Sequence, residues 1–196
     1  MAQDLPAGFA VHLELESTSR VMPSFADQFV PGLLQTREYA RAVLGARSLS
    51  STPEQVERQV EVRMPRQRVP DRAGPPPPQM WVILDEAVIR RVVGGRAVMA
   101  AQLRRLCEVA ADPAVTLQVL PFSVGAHMAA YGSFALFDPA DPAFPVTAST
   151  DRPAGTLIED DPSAIGQYTL MFDHLRATAL TTVQSLAVIG EAGKLL

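Results

Sequence analysis

Residues 80–122 read MWVILDEAVIRRVVGGRAVMAAQLRRLCEVAADPAVTLQVLPF. The stretch opens on MWVILDE, a short run of large and β-branched residues with the character of a buried strand. EAVIRRVVGG leaves that strand as helix or loop, and RAVMAAQLRRLCEVAADP is the clearest amphipathic helix in the chain. Its Met99, Leu103, Leu106 and Ala110 recur at helical spacing, and Arg104 and Arg105 fall on the polar side. AVTLQVLPF follows as a second strand. Strand, helix and strand in this order place the chain in the α/β class.

Downstream, GSFALFDP (132–139) and FPVTAST (144–150) read as two more strands. Their link ADPA is too short for a parallel crossover, so the pair is expected to be antiparallel. GTLIEDD makes a fifth strand. Asp161-Pro162 then starts a helix bearing Ile165, Tyr168, Phe172 and Leu175, and Thr181 with Gln184 forms a capping box for a last one. Upstream, DRAGPPPPQM is a polyproline segment that neither helix nor sheet accommodates. STPEQVERQVEVRM has Thr52 as N-cap, Pro53 at the first helical position and Gln55 closing a capping box. Val56, Val60 and Met64 line one face of it, and Pro65 should end it.

FVPGLLQTREYARAVL (29–44) opens on a Pro-Gly turn and closes on a helix capped by Thr36, with Tyr39, Val43 and Leu44 on its apolar face. Residues 1–30 show little periodicity, although VHLELES (11–17) alternates as a short strand or a helix start would. The expected architecture is mixed α/β, α+β-like: a small mixed sheet of about five strands flanked by N-terminal and C-terminal helices. An N-terminal helical region (1–72), a Pro-rich linker (73–79) and an α/β core with C-terminal helices (80–196) are expected to pack as one domain.

A chain of 196 residues, 47% of them hydrophobic, can bury one good core. A net charge of −4 argues against a molecule built to hold nucleic acid. Sixteen of the 17 basic residues are Arg, a skew typical of a GC-rich bacterial genome. The lone cysteine, Cys107, rules out an intramolecular disulfide and multi-cysteine metal sites, and its apolar neighbours suggest an ordinary half-buried thiol. No run approaches the ~20 apolar residues of a membrane span. The N-terminus lacks the basic start of a secretion signal, so the expected location is cytoplasmic.

The stretches VPGLLQTREYARAVL, MWVILDEAVIRRVVGG, MAAQLRRLCEVA, VTLQVLPFSVGAHMAAYGSFALF and LIEDDPSAIGQYTLMFDHLRATAL occur in order over residues 12–190. Together they resemble a C-terminal domain of unknown function that follows an Xre-type helix-turn-helix in antitoxin-like transcriptional regulators of GC-rich filamentous bacteria. Family members carry a DNA-binding domain ahead of this point, whereas the sequence here opens on the resembling domain itself. The resemblance implies a sensory or partner-binding role, and as partner the small companion protein often paired with such regulators.

His127 lies in PFSVGAHMAAYG, a loop directly after a strand, where α/β sheets bind their ligands. It is a candidate hydrogen-bonding or acid/base group, set against packing on a backbone carbonyl. Glu86 and Arg90 are four apart, a spacing that suits an ordinary ion pair; the sharper reading sets Glu86 at a pocket rim with His127. Trp81, Phe122 and Tyr131 would add the apolar wall, with Glu86, Arg90 and His127 as polar anchors. His12 and His174 read as structural. VVGGR lacks the features of a phosphate loop and reads as a turn between helices. Arg58, Arg63, Arg66, Arg68 and Arg72 form a solvated or partner-facing cluster.

These readings lead to a stand-alone domain binding a small molecule or a small protein, with no cofactor, metal, membrane or direct nucleic-acid contact. The alternative is a cofactor-free enzyme, a cyclase, isomerase or hydrolase of small-molecule biosynthesis, using His127 and Glu86. A third possibility is a homodimer formed through the Val56, Val60 and Met64 face.

Overall fold

In the computed structural model, the described residues are 8–47, 51–65, 78–152 and 155–196. The order of elements is α1 (Phe9–Thr18), β1 (Ser19–Ala26), α2 (Arg37–Arg47), α3 (Pro53–Arg63), β2 (Gln79–Asp85), α4 (Glu86–Arg90) and α5 (Arg96–Val109). It continues through β3 (Val115–Leu120), β4 (Phe134–Pro139), β5 (Thr147–Arg152), β6 (Gly155–Glu159), α6 (Pro162–Thr178) and α7 (Thr182–Lys194). The six strands form one mixed sheet in the order β3-β2-β1-β4-β5-β6. β1, β2 and β3 run parallel, and β4, β5 and β6 are antiparallel to their neighbours.

The mixed α/β architecture is the one anticipated, with one strand more. That strand is β1, and it lies near the sheet's centre between β2 and β4. Its sequence SRVMPSFA carries a proline, which ordinarily argues against a central strand because it donates no ladder hydrogen bond. β1 takes Pro23 opposite Trp81 of β2, and its pairing with β4 shifts register nearby, between Ser19 and Val21. The N-terminal region is therefore not helical throughout. VHLELES, read as strand or helix start, lies wholly within helix α1. Most of the Pro-rich linker lies outside the described residues; of residues 73–79, Pro78 and Gln79 are described.

Alternation along the strands divides the core in two. Val82, Leu84, Leu117 and Val119 face Tyr39 and Val43 of α2, Met99, Leu103 and Leu106 of α5, and Ile189 of α7. Phe25, Ile83, Leu120, Phe134, Leu136 and Ala148 point the other way, onto Phe172 and Leu175 of α6. The caps stand where the residue types place them: Thr52 with Gln55 on α3, Asp161 on α6, and Thr181 with Gln184 on α7. The Gly-Gly pair forms a turn between α4 and α5. Gly94 has φ +68°, and a Cβ there would come within 3.0 Å of Ala42 and 2.9 Å of Val98, so both conformation and space call for glycine. No helix among the described residues is long and apolar enough to cross a membrane.

Pro31-Gly-Leu-Leu-Gln-Thr36 carries the chain from the end of β1 into α2 through a 3₁₀ turn at Gly32–Leu34. Leu34 and Gln35 are buried and the rest of the segment is half-buried, so the inward backbone groups need partners from elsewhere. Gln102 of α5, wholly buried, takes the Thr36 N–H on Oε1 at 2.7 Å and donates from Nε2 to the Leu34 carbonyl at 2.8 Å. Gln35 donates from Nε2 to the Val30 carbonyl at 2.6 Å and accepts on Oε1 from Arg63 Nη1 of α3 at 2.7 Å. The Val30 N–H reaches the Tyr39 hydroxyl at 3.3 Å. Arg63 is thus an internal tie and not part of an outward-facing basic cluster. Arg66, Arg68 and Arg72 of that expected cluster lie outside the described residues.

Val60 is fully buried, and Val56 nearly so, against Leu44 of α2. The face expected to form a homodimer is therefore covered within the chain.

Replacing Gln102 with Leu leaves the buried Leu34 carbonyl and the half-buried Thr36 N–H without partners. At about 1–3 kcal/mol for each unsatisfied group, the change should lower unfolding free energy by roughly 2–6 kcal/mol in urea titrations followed by circular dichroism.

Candidate functional site

The carboxyl ends of β1, β2 and β3 lie side by side at one edge of the sheet, since Ala26 pairs with Leu84 and Asp85 pairs with Leu120. Asp27 follows β1, Asp85 closes β2, and the loop 121–133 leaves β3 to begin β4 at Phe134, which pairs back to Phe25. The loop therefore closes over the strand ends. This is the position where open α/β sheets gather ligand-binding groups.

Ser133 fixes one side. Its hydroxyl donates to Asp27 Oδ1 in a short hydrogen bond, and it accepts the Asp27 N–H at 3.0 Å. Asp85 caps α4 by accepting the Ala87 N–H on Oδ1 at 2.8 Å. Its other oxygen, Oδ2, lies 3.9 Å from His127 Nε2. The His127 ring stands edge-on to Phe25, with centroids 5.6 Å apart. Its Nδ1 is buried and has no hydrogen-bond partner. A buried ring nitrogen left unpaired is uncommon in a folded protein.

Glu86 is occupied elsewhere. Its Oε1 receives Arg90 Nε and Nη2 at 3.1 and 3.0 Å, and its Oε2 accepts the Phe122 N–H at 2.9 Å. The ordinary ion pair is the arrangement present, and Glu86 serves to pin the start of the loop. The carboxylate beside His127 is Asp85, the residue before it. Register explains the exchange: Asp85 still belongs to β2 and faces along the sheet, whereas Glu86 begins α4 and turns toward Arg90 one helical turn on.

The expected apolar wall is not assembled. Tyr131 is 96% exposed and Phe122 59% exposed. Trp81 lies four residues before Asp85 on β2, about 13 Å away at the rise of a strand. There it donates from Nε1 to Gln118 Oε1 at 2.7 Å, meets Phe172 edge-on, and carries the Arg176 guanidinium 5.4 Å from its ring. Periodicity marked these aromatics as large and apolar but says nothing of which end of a strand a pocket uses.

His12, expected to be structural, has partners on both ring nitrogens. His12 joins Ser149 Oγ at 2.9 Å through Nδ1 and Glu16 Oε1 at 3.0 Å through Nε2. The chain of Ser, His and carboxylate has the composition of a nucleophilic triad. Its setting is structural: Ser149 is 4% exposed beneath α1, on a strand paired on both sides, so neighbouring N–H groups belong to the ladder and form no oxyanion hole. The spacing of four between His12 and Glu16 was the available signal; Ser149, 137 residues on from His12, gave none.

Among the described residues, no three His, Cys, Asp or Glu side chains are placed to hold a metal ion. Burial pushes the Cys107 thiol above its usual value, with Glu108 adding to the effect. That suits a packing residue, not a nucleophile.

A family model described as a domain of unknown function, DUF5753, matches residues 9–191. The chain belongs to the DUF5753 family. The match runs from the first residue of α1 into α7, so the sheet, the strand-end cluster and the turn at 30–36 all lie inside the DUF5753 domain. No curated protein and no solved structure matches the chain.

Two outcomes follow from this geometry. His127→Phe keeps the ring's shape while deleting the unpartnered nitrogen, so thermal unfolding should show stability unchanged or raised by about 1 kcal/mol. Cys107 should react with iodoacetamide at neutral pH at least several-fold more slowly than a free cysteine in a short peptide, as followed by mass spectrometry.

Proposed function

We propose that this chain is a regulatory domain that binds a small molecule or a small partner protein at the carboxyl ends of β1 and β2. The observation that carries the reading is the buried, unpartnered Nδ1 of His127, held over those strand ends beside Asp85. An unmet hydrogen bond in a packed interior costs stability, and such costs persist where a ligand makes good the bond. Asp85 stands beside the ring, the Asp27–Ser133 pair holds the far end of the same loop, and residues 121–133 run over the strand ends. A ligand would lift part of that loop and bond to His127.

The regulatory part of the proposal rests on the resemblance to domains that accompany Xre-type helix-turn-helix readers. On that basis the natural partner is a small companion protein or a metabolite, and the setting is the cytoplasm. The net charge of −4 supports a role that leaves DNA contact to another domain.

A second reading is favoured by one specific distance. Asp85 lies 3.9 Å from His127 Nε2, close enough to orient and polarise the imidazole as an acid/base group once a substrate draws the two together. A cofactor-free isomerase, cyclase or hydrolase would need little more.

A thermal-shift screen with fractionated bacterial metabolites separates these readings. A binder should raise the melting temperature of the wild-type chain and lose at least tenfold in affinity in His127→Ala and Asp85→Asn. Recovery of the compound unchanged identifies a binding domain, and its conversion identifies an enzyme. Binding undiminished in both variants would place the site elsewhere and sink the proposal.

A further inference from the structure

We propose that α3 is a hinged clip, a helix that swings off α2 as a unit while the sheet remains folded. The inference is independent of the strand-end site.

Three features of the α2–α3 junction point this way. First, the contact has its own small core. Val56 and Val60 of α3 pack with Leu44 and Met64, apart from the two larger cores that sandwich the sheet. Elements with few buried apolar contacts are those that open locally at less free energy than the whole domain.

Second, the flanks of that core are held by exposed charge. Arg37 Nη1 reaches Glu57 at 2.8 Å and Glu61 at 2.6 Å, and Arg41 bonds Glu57 through Nε at 2.8 Å and Nη2 at 3.1 Å. All four side chains are between 37% and 59% exposed, so each pair is open to screening by salt.

Third, the two helices do not meet along their whole length. A groove of about 610 Å³ opens toward the start of α3, lined by Arg41, Gly45, Pro53 and Val56 among others. Gly45 leaves it unfilled, since a Cβ there would find no atom within 4 Å. At the other end, Arg63 is buried and donates to Gln35 in the turn at 30–36. The C-terminal end of α3 is thus held by a buried hydrogen bond, and the small core and the exposed pairs hold the rest of the helix on α2. Lifting uncovers Leu44 on α2 and the apolar stripe of α3 together.

The sign of the electrostatic control follows from the groups present. The charged residues of the two helices are Arg37, Glu38, Arg41 and Arg47 on α2, and Glu54, Glu57, Arg58, Glu61 and Arg63 on α3; Arg37 and Arg41 bridge to Glu57 and Glu61, and Arg47 pairs with Asp151 of β5. Hydrogen bonds from Arg41 and Arg37 hold the carboxyls of Glu57 and Glu61 below the usual carboxylate range. Carboxyls with depressed values favour the docked state above their ordinary range, and that contribution is lost as pH falls through it. Acid loosens the clip; at neutral pH, salt does so.

Hydrogen–deuterium exchange on the full chain, read by mass spectrometry, tests the proposal. Amides of α3 should exchange at least tenfold faster than those of β2 and β3 at low salt. Raising salt from about 0.02 M to about 0.5 M shortens the Debye length from roughly 20 Å to roughly 4 Å. That change should speed α3 about threefold to tenfold, the summed worth of three exposed ion pairs, and leave the strands unchanged. The double variant Arg37→Gln, Arg41→Gln should exchange in α3 at the high-salt rate under both conditions. Exchange of α3 in step with the strands would overturn the proposal, as would a salt response that survives in the double variant.

Discussion

A backbone buried away from water must find partners for its N–H and carbonyl groups, and the turn at residues 30–36 is where this chain meets that demand. The chain leaves β1 near the centre of the sheet and passes back inside at Val30, Leu34 and Gln35 on its way to α2. Gln35 and Gln102 make the passage possible by taking the roles that ladder bonds play elsewhere. Gln102 belongs to α5, Arg63 to α3 and Tyr39 to α2, so one small polar knot sets three helices against each other. Side-chain amides suit the task because each offers a donor and an acceptor on a rigid plane.

The second organising feature is the change of direction within the sheet. Three parallel strands bring three carboxyl ends to one edge, and the antiparallel β4 returns to that edge from the loop 121–133. The loop is held at three places: Glu86 takes the Phe122 N–H, Ser133 binds Asp27, and Ala129 is packed into the second core. His127 is thereby fixed in a place where nothing bonds its Nδ1. On the opposite face the histidine has no such gap, although Thr147 Oγ1 is buried there without a partner. His12 there has Ser149 on one nitrogen and Glu16 on the other, which makes it a fastener for α1.

Much of the scaffold was legible because its signals are local. The capping boxes at Thr52 and Thr181, the stop at Pro65 and the Gly-Gly turn depend on residues within one helical turn of each other, and each appears where the residue types place it. The short link between β4 and β5 likewise decided their antiparallel pairing. β1 was not legible. Its proline and two serines break the alternation that marks a strand, and it becomes one through its neighbours β2 and β4. The exposed state of Tyr131 was equally hidden, because an aromatic residue in a loop carries no periodicity to show which way it faces.

At the candidate site the division is sharper. His127 in a loop after a strand could be singled out from its residue type and position, and so could a carboxylate near the end of β2. Which carboxylate stands beside the histidine was decided by where β2 stops and α4 begins, a boundary only the folded chain sets. The sequence by itself determined the elements from α2 onward, their caps and the α/β class, since these follow from interactions between residues close along the chain. Tertiary structure alone decided the place of β1, the pairing of Asp85 with His127 and the burial of Arg63. Each of those depends on groups far apart in sequence, whose meeting is fixed by packing and by the need to satisfy buried polar atoms.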